Sequence, residues 1–421
     1  MSSVVCLSHR EDVDGILSAA LIKAVSKTQR IQIVLADYAN IISKLQKISA
    51  AASGAADTSN MSALSFSQKS TNFSDRRLRS DNNKENAELL TSNLENVNPN
   101  TREDSNKSNN NSGSGSIIPT STSTSTAGST TTATTTTTSS IGIGKPQRLF
   151  ICDLGLSKKT EDKFLGLLKE IISKGIKVTY FDHHDINDEL RKKLKKTGVT
   201  LIHSVEECTS VQIYNKYKNK LDSHAAFFAA SAALTDYMEC RPLASAIMSR
   251  YDRQFLMLEA TALSYMISSN QHNEEFLVNA VNTLSEMRYP HEIEGGFAIA
   301  ERYAKKVADG VRIVQDSIAV KKKVAYTQSI SDLSASVIVN FVLGISEKPV
   351  AMVYRFKDDI SSYIISIRAS KACTVHLGRI VNEVASNLGG SGGGHEKACG
   401  AVIPKGKLED FINAIDKHVG K

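Results

Sequence analysis

The sequence predicts an α/β protein: an N-terminal domain with a mostly parallel sheet, a helical connector, and a second, smaller α/β domain. Three observations predict it. Short apolar runs alternate with amphipathic runs in the first part of the chain, the pattern from 248 to 318 is helical, and strand-like and helix-like runs return after that. Alternating strands and helices favour a parallel sheet, whose ligands bind beyond the carboxyl ends of the strands.

The first domain opens with a β-α unit. Residues 3–8 form an apolar strand-like run, and residues 16–25 have helical spacing after an Asp-Val-Asp-Gly turn. A second strand is predicted at 31–35 and a short helix at 41–48. The pattern resumes with a buried strand at 148–152, an amphipathic helix at 158–174 and a strand at 175–181. We therefore expect this domain to comprise residues 1–48 and 144–247.

A Ser/Thr/Asn-rich insert at 49–143 separates the two parts of the first domain. Its few large apolar residues cannot offset the entropy of ordering a chain, so we expect it to be disordered. Removing it from the 421 residues leaves about 325, enough for two α/β domains and a connector.

The connector and the second domain occupy the rest of the chain. Apolar residues at helical intervals predict the connector at 248–318. A helix at 336–343, strands at 349–356 and 361–368, and a helix at 374–385 predict the second domain at 319–421. That last helix leads into a glycine-rich segment, 389–395, which we expect to be a loop.

Composition predicts a mildly basic, cytoplasmic protein without a membrane segment. The 51 Lys+Arg exceed the 44 Asp+Glu, and the excess falls outside the insert, which suits a polyanionic substrate but also an ordinary solvated surface. No run approaches the length of a membrane span, and the N-terminal residues enter a strand without a basic leader. The cysteines show no Cys-x-x-Cys spacing, so we expect free, buried thiols in a reducing compartment.

Acidic and histidine side chains follow the predicted strands at several points. Tyr180-Phe181-Asp182-His183-His184 comes directly after a strand, and other acidic or histidine residues stand at element ends. These are His9, Asp12, Asp14, Asp153 and Asp236. Carboxylates and imidazoles gathered in this way predict a site for two divalent metal ions. The alternative is that the aspartates cap helices and His183 is a packed or surface histidine.

The glycine-rich segment is a second candidate site. Without Cβ atoms its backbone can approach an anion closely, and successive N–H groups can form an anion-binding nest. It lacks the Gly-Lys-Ser/Thr of a P-loop and the context of a dinucleotide fingerprint. A flexible turn is the alternative.

With these residues the chain resembles the DHH phosphoesterases, which include RecJ-like exonucleases, short-oligoribonucleotide hydrolases and manganese pyrophosphatases. The resemblance implies that His9 and Asp12 bind one ion, that Asp153 bridges, and that the remaining ligands bind the other ion, namely Asp14, His183 and Asp236. It also implies that Asp182 orients the histidines and that His184 faces the scissile phosphate. His9 lies three residues before Asp12, a spacing that differs from many family loops.

The second domain carries its own resemblance. Gly392-Gly393-Gly394-His395, followed by Ala-Cys-Gly, resembles the substrate-binding motif of the DHH-associated C-terminal domain, and Arg368 matches the arginine that holds a substrate phosphate there. The pyrophosphatases lack such a domain, which disfavours that branch.

The remaining branches of the family differ in substrate. The foldable length leaves no room for an extra nucleic-acid domain, which favours short RNA or DNA, or a nucleotide phosphate, as the substrate. The expected cofactors are two Mn²⁺ ions, or Mg²⁺. A RecJ-like single-strand exonuclease is the first alternative. A catalytically inactive nucleic-acid-binding scaffold is the second, although every carboxylate position of the motif is filled.

Overall fold

The computed structural model describes residues 3–26, 30–53, 146–156, 158–329 and 333–419. The predicted α/β class is confirmed by a parallel sheet and a second, mixed sheet among these residues. The helix that precedes the insert continues to Ala52, four residues past the predicted boundary. The rest of the predicted insert, from 54 to 143, lies outside the described residues.

The first sheet has five parallel strands in the order β2-β1-β3-β4-β5 within the described residues. Its elements in chain order are β1 (Ser3–His9), α1 (Val13–Val25), β2 (Arg30–Ala36), α2 (Ile41–Ala52), β3 (Arg148–Cys152), α3 (Lys158–Ser173), β4 (Lys177–Asp182), α4 (Asp188–Lys196), β5 (Thr200–His203), α5 (Thr209–Tyr217) and α6 (Ala225–Thr235).

Both faces of this sheet are buried, which explains the continuous apolar run of β1. Val4 and Cys6 pack into a core with α1, α5 and α6, whereas Val5 and Leu7 pack into a core with α2 and α3. A strand covered on both sides needs apolar residues at consecutive positions. The strand is therefore central, and its carboxyl end lies in the middle of the sheet edge.

The register aligns the carboxyl ends of the three central strands. Ser8 of β1 lies beside Cys152 of β3, which in turn lies beside Phe181 of β4. The residues that follow these positions, His9, Asp153 and Asp182, are therefore neighbours although they are up to 173 positions apart in sequence.

A helical segment connects the two sheets, as the sequence pattern predicts. It consists of α7 (Pro242–Met248), α8 (Arg253–Ser269), α9 (Glu274–Ser285), a short 3₁₀ helix (Pro290–Glu292) and α10 (Gly296–Gln315). Helix α8 packs on α6 and α10, and α9 packs on α1. The connector thus belongs to the core of the first sheet as well as reaching the second.

The second sheet has the order β10-β11-β9-β8-β7-β6 and is antiparallel except for the β7-β8 pair. Its elements in chain order are β6 (Ala319–Val320), β7 (Val324–Gln328), α11 (Ala335–Ser346), β8 (Val350–Lys357), a 3₁₀ turn (Asp358–Ile360), β9 (Ser362–Ala369), α12 (Leu377–Asn387), β10 (Ser391–Gly394), β11 (Ala398–Pro404) and α13 (Leu408–Val419). Helices α12 and α13 cover one face, and α10 and α11 cover the other.

The glycine-rich segment is a short strand rather than the predicted loop. Gly392 and Gly393 pair with Ala401 and Gly400 of β11. A Cβ at Gly392 would lie 2.9 Å from Cγ1 of Val381, so glycine lets β10 lie tightly against α12. Local sequence favoured a loop here, but packing of this helix on the strand decides the structure.

The prediction of free, buried cysteines is correct for five of the six. All six are free, and Cys240 is exposed. Among the described residues no helix has both the length and the hydropathy to cross a bilayer.

Candidate metal centre

The first loop of the site is held by α1 and by a glycine. Asp12 caps α1, accepting a hydrogen bond of 2.9 Å from the backbone N–H of Gly15. A Cβ at Gly15 would lie 2.3 Å from the carbonyl oxygen of His9, so only glycine allows the helix to start so close to the strand end. The consequence is that His9, Asp12 and Asp14 lie on one tight turn.

Asp153, directly after β3, has an unusual backbone conformation. Its φ is +58°, in the left-handed region, and its N–H donates to the carbonyl oxygen of Phe181 at 3.0 Å. Non-glycine residues adopt this conformation at a cost, which aspartate and asparagine tolerate best, and such residues gather at functional sites. The turn aims the buried Asp153 carboxylate across the sheet edge.

Asp153 links two groups of ligand atoms. Its Oδ2 lies 3.7 Å from Nδ1 of His9, which lies 2.8 Å from Oδ2 of Asp12. Its Oδ1 lies 3.1 Å from Nε2 of His183. One carboxylate oxygen therefore faces each histidine.

The second group gathers around His183. Its Nε2 is 3.6 Å from Oδ2 of Asp236 and 3.8 Å from Oδ2 of Asp14. Asp236 is the C-cap residue of α6 and comes from a different part of the chain. The structure thus brings all six predicted metal ligands together in two groups that share Asp153.

The start of α5 holds the two central carboxylates, a feature that the sequence analysis missed. The backbone N–H groups of Thr209 and Ser210 donate to Oδ2 and Oδ1 of Asp14 at 2.8 and 2.7 Å. The Thr209 hydroxyl donates to Oδ1 of Asp153 at 3.2 Å. A helix N-terminus favours anionic groups, so α5 orients these carboxylates and opposes the effect of burial on their charge.

Burial and crowding shift the proton affinities of these groups. Burial, and then the charge of Asp153, raise the pKa of Asp14 to about 7, and burial also raises the pKa of Asp236 well above its usual value. Burial opposes the charge of Asp153 as well, yet close contacts with His183 and His9 hold its pKa well below the ordinary value. Crowded carboxylates with raised pKa values indicate a site that needs cations.

The pKa values of the two proposed histidine ligands, His9 and His183, shift in the same direction. Burial disfavours their charged forms, but the charge of Asp12 beside His9 and the contact of His183 with Asp153 raise the pKa of each well above the ordinary value. Protons here neutralise the carboxylates. A divalent cation would do the same with more charge.

The donor set fits divalent cations. His9, Asp12 and Asp153 offer ligand atoms within 4.8 Å of one another, and so do Asp14, His183 and Asp236. Oδ2 of Asp236 is buried without a hydrogen-bond partner among the described residues, and Nδ1 of His9 lies close to Oδ2 of Asp12 without hydrogen-bond geometry. Buried polar atoms normally have partners, and a mixture of imidazole and carboxylate ligands suits a divalent metal ion.

His184 is held from several sides beside the metal ligands. Its Nδ1 lies 2.9 Å from Oδ1 of the fully buried Asp182. Its carbonyl oxygen accepts from Nε2 of His203 at 2.6 Å. Its ring packs so closely on Gly155 that a Cβ there would lie 2.8 Å from Cγ.

The second sheet contributes a histidine to the same site. The ring of His395 stacks on His183 with a centroid distance of 5.0 Å and an angle of 22°, and it lies 5.3 Å from His184. Burial, together with the charge of His183 and His184, lowers the pKa of His395 to about 3. His395 is therefore neutral at physiological pH. Of the predicted substrate-binding glycines, Gly394 lines the cleft described next, whereas Gly392 and Gly393 contact α12.

Arg368 on β9 lies at the edge of the site. Its Cζ is 5.9 Å from the ring centroid of Tyr237, which follows Asp236, and its Nε is buried with no hydrogen-bond partner in the described part of the chain. A cleft of about 320 Å³ opens from Asp236 and His395 and has three basic residues in its wall, Arg241, Arg379 and Lys397. Two of these are already paired, Arg241 with Glu206 and Lys397 with Glu396.

A second, larger groove of about 940 Å³ lies along α10 and β9. Its cationic side chains, Arg302, Lys306 and Arg355, form no ion pair with any residue that the structure describes, and no described carboxylate lines it. Ile364 and Ser366 of β9 line it, and Arg368 follows on the same face of the strand because side chains alternate. Arg368, at the edge of the site, therefore lies on the strand face that lines the groove.

Comparisons with known proteins identify the C-terminal domain. Residues 319–421 match the sequence model of the DHHA1 domain. An uncharacterized protein of Methanocaldococcus jannaschii is 26% identical over 212 residues, which are 48% of this chain and 44% of that protein. The match thus spans less than half of this relative.

Solved structures show the same fold. The DHH domain of a member of the s1p family of ribosomal proteins has a TM-score of 0.56 and 12% identity, covering all of this chain and 87% of that chain. RecJ in complex with Mn²⁺ from Thermus thermophilus has a TM-score of 0.51 and 8% identity, covering 99% of this chain and 52% of RecJ. The resemblance to the DHH family is confirmed by this fold and by the DHHA1 match.

Proposed function

We propose that this chain, which has the DHH-family fold and a DHHA1 domain, is a metal-dependent phosphodiesterase that hydrolyses short oligonucleotides or nucleotide phosphates. The observation that carries the proposal is the position of Asp153, with one carboxylate oxygen toward His9 and the other toward His183. A bridging carboxylate between two groups of nitrogen and oxygen ligands is what a two-cation phosphoesterase requires.

The ligands divide between two cation positions. His9, Asp12 and Asp153 would hold one ion, and Asp14, His183, Asp236 and the same Asp153 would hold the other. When bound, two divalent cations neutralise phosphoryl oxygens and make water a better nucleophile near pH 7. Mn²⁺ is the ion we expect, with Mg²⁺ as the alternative.

The protein's own groups would orient the substrate. His184, fixed by Asp182 through Nδ1, would help to orient the substrate phosphate from beside the metal ligands. Arg368, Gly394 and His395 would hold a phosphate or a terminal nucleotide from the second sheet, away from the bond that breaks. Binding energy gained there contributes to positioning at the metal ligands.

A RecJ-like exonuclease acting on longer single strands is the second candidate, and one observation favours it. The larger groove has three cationic side chains in its wall, and none of them forms an ion pair with a described residue. Such a row of side chains suits several phosphates of a polynucleotide. Arg368 lies on the same face of β9 as the groove residues Ile364 and Ser366. The smaller cleft, where two of the three basic residues are already paired, suits a short substrate.

The experiment that tests the proposal uses the full chain with Mn²⁺ and end-labelled RNA and DNA from dinucleotides to about thirty nucleotides, the range over which phosphate contacts accumulate. Hydrolysis that is lost in Asp14→Asn supports a phosphodiesterase. Faster hydrolysis of the shortest substrates favours the first candidate, and a rate rising with length favours the second. Tight binding without cleavage would instead favour the inactive scaffold.

A further inference from the structure

Tyr38 stands on a rigid turn at the carboxyl end of β2, and the proposed function gives it no role. The turn is closed by reciprocal hydrogen bonds between Asp37 and Asn40. Oδ1 of Asp37 accepts from the backbone N–H groups of Ala39 and Asn40, each at 2.9 Å, and Oδ1 of Asn40 accepts from the N–H of Asp37 at 3.0 Å. The amide of Asn40 also donates to Oδ2 of Asp37 at 2.6 Å. These bonds set the direction of the Tyr38 side chain before any ligand binds.

The Tyr38 side chain reaches both the first ligand group and the Asp182–His184 pair. Its hydroxyl lies 2.9 Å from Nε2 of His184, and its ring centroid lies 5.1 Å from that of His9. The ring is set nearly perpendicular to that of His184, at 86°. Tyr38 is also 47% exposed, so this contact is made at the open side of the site.

The hydrogen-bond directions along this line follow from the chemistry of its ends. A buried carboxylate accepts, so the Nδ1 of His184 donates to Asp182 and its Nε2 is left as an acceptor. Tyr38, a phenol whose ordinary pKa is about 10, is neutral and donates to Nε2. The imidazole is therefore held at both nitrogens, and loss of the Tyr38 contact leaves Nε2 without its donor.

We infer that Tyr38 is a positioning residue for phosphodiester hydrolysis, acting through His184. This inference rests on the proposed function. The hydroxyl holds the imidazole at the angle set by Asp182, while the aromatic ring covers His9, so the two parts of the side chain have separate effects. Removing the hydroxyl alone leaves the ring contact with His9 and the ligands of both cations in place.

The test compares Tyr38→Phe with Tyr214→Phe, a matched loss of one phenolic hydroxyl on α5, where Tyr214 contacts Arg250 rather than the site. Tyr38→Phe is expected to lower kcat about tenfold or more, as loss of an orienting hydrogen bond does, with KM and the number of bound Mn²⁺ ions unchanged. Tyr214→Phe should match the wild type. A Tyr38→Phe variant with wild-type kcat, or with a change in KM alone, overturns the inference.

A second measurement works without any activity. In ¹⁵N-histidine-labelled protein without metal, the Nε2 resonance of His184 should shift in Tyr38→Phe toward that of an imidazole nitrogen without a donor, while His203 should not change. An unchanged His184 resonance overturns the inference even if activity falls. If the wild type hydrolyses no phosphodiester but the resonance shifts, the hydrogen bond stands and the proposed function fails.

Discussion

Gly15 and His9 are in direct backbone contact: a Cβ at position 15 would lie 2.3 Å from the carbonyl oxygen of His9 and 2.6 Å from its Cβ. Real Cβ atoms do not approach so closely, so a side chain at 15 must displace either the strand end or the first turn of α1. Asp12 and Asp14 lie on that turn. The glycine therefore maintains the spacing of three ligands at once.

We expect Gly15→Ala to weaken cation binding at the His9 and Asp12 position more than at the Asp236 position, because the displaced backbone carries His9. Gly166→Ala is the matched control. Gly166 lies within α3 with no atom within 4 Å of a Cβ, and its replacement should stabilise the fold by about 0.5–1 kcal/mol. Calorimetric titration with Mn²⁺ separates the two outcomes. Two undisturbed cation sites in Gly15→Ala would show that Gly15 does not maintain the spacing of these ligands.

Asp153→Asn should abolish hydrolysis while the fold survives. Asparagine tolerates the left-handed backbone of position 153, but its amide nitrogen cannot replace the second ligating oxygen. Turnover is expected to fall by at least about 10³-fold, and bound Mn²⁺ from two ions to one or none. Asp162→Asn is the control, because Asp162 is exposed on α3 and lines neither the cleft nor the groove. A folded Asp153→Asn variant with near-normal turnover would refute the two-cation assignment.

The stability that cations add to the fold should increase with pH. In the metal-free protein the pKa of Asp14 is raised to about 7 and those of His9 and His183 lie above their usual values, so the folded state holds extra protons and loses stability as pH rises from about 6 to about 8. Cations displace these protons, so Mn²⁺ should raise Tm more at about pH 8 than at about pH 6. Equal shifts at both pH values, measured by calorimetry, would show that these groups do not bind the ions.

Arg368→Ala and His395→Ala should keep two bound ions but hydrolyse oligonucleotides poorly. Arg368 lies on β9 of the second sheet, and His395 directly follows β10. Both are expected to hold substrate rather than cations. A nitrophenyl phosphodiester, which lacks a second phosphate, should be affected much less than an oligonucleotide. Asp14→Ala should lose both activities together. An Arg368→Ala variant that loses metal, or both substrates equally, would show that the second sheet is not a separate holding device.

Arg302→Ala, Lys306→Ala and Arg355→Ala should distinguish the two candidate substrates. If the larger groove binds a strand, each change should weaken binding of a thirty-nucleotide substrate and flatten its salt dependence, with little effect on a dinucleotide. Lys305→Ala is the control, because Lys305 is exposed on α10 beside Lys306 but does not line the groove. Unchanged binding of long strands in all three variants would leave the smaller cleft as the substrate site.

The sequence predicted the parts of the site that lie on single elements. Asp153 and Asp182 could be placed because an apolar run ends just before each, and parallel strands bring such ends together. The contacts of Thr209 with Asp14, and of Tyr38 with His184, join residues 195 and 146 positions apart. No local pattern encodes such pairs. The glycine segment was predicted as a loop for the same reason, because its partner α12 decides its conformation.

The stacked rings of His183 and His395 join the two parts of the proposed site. One ring belongs to a proposed cation ligand and the other to the domain proposed to hold substrate. Coupling between two ligands is reciprocal, so any factor by which substrate tightens the cations equals the factor by which cations tighten the substrate. If substrate tightens the cations, the chain releases them most readily when no substrate is bound, and its metal content then depends on the supply of substrate as well as of metal.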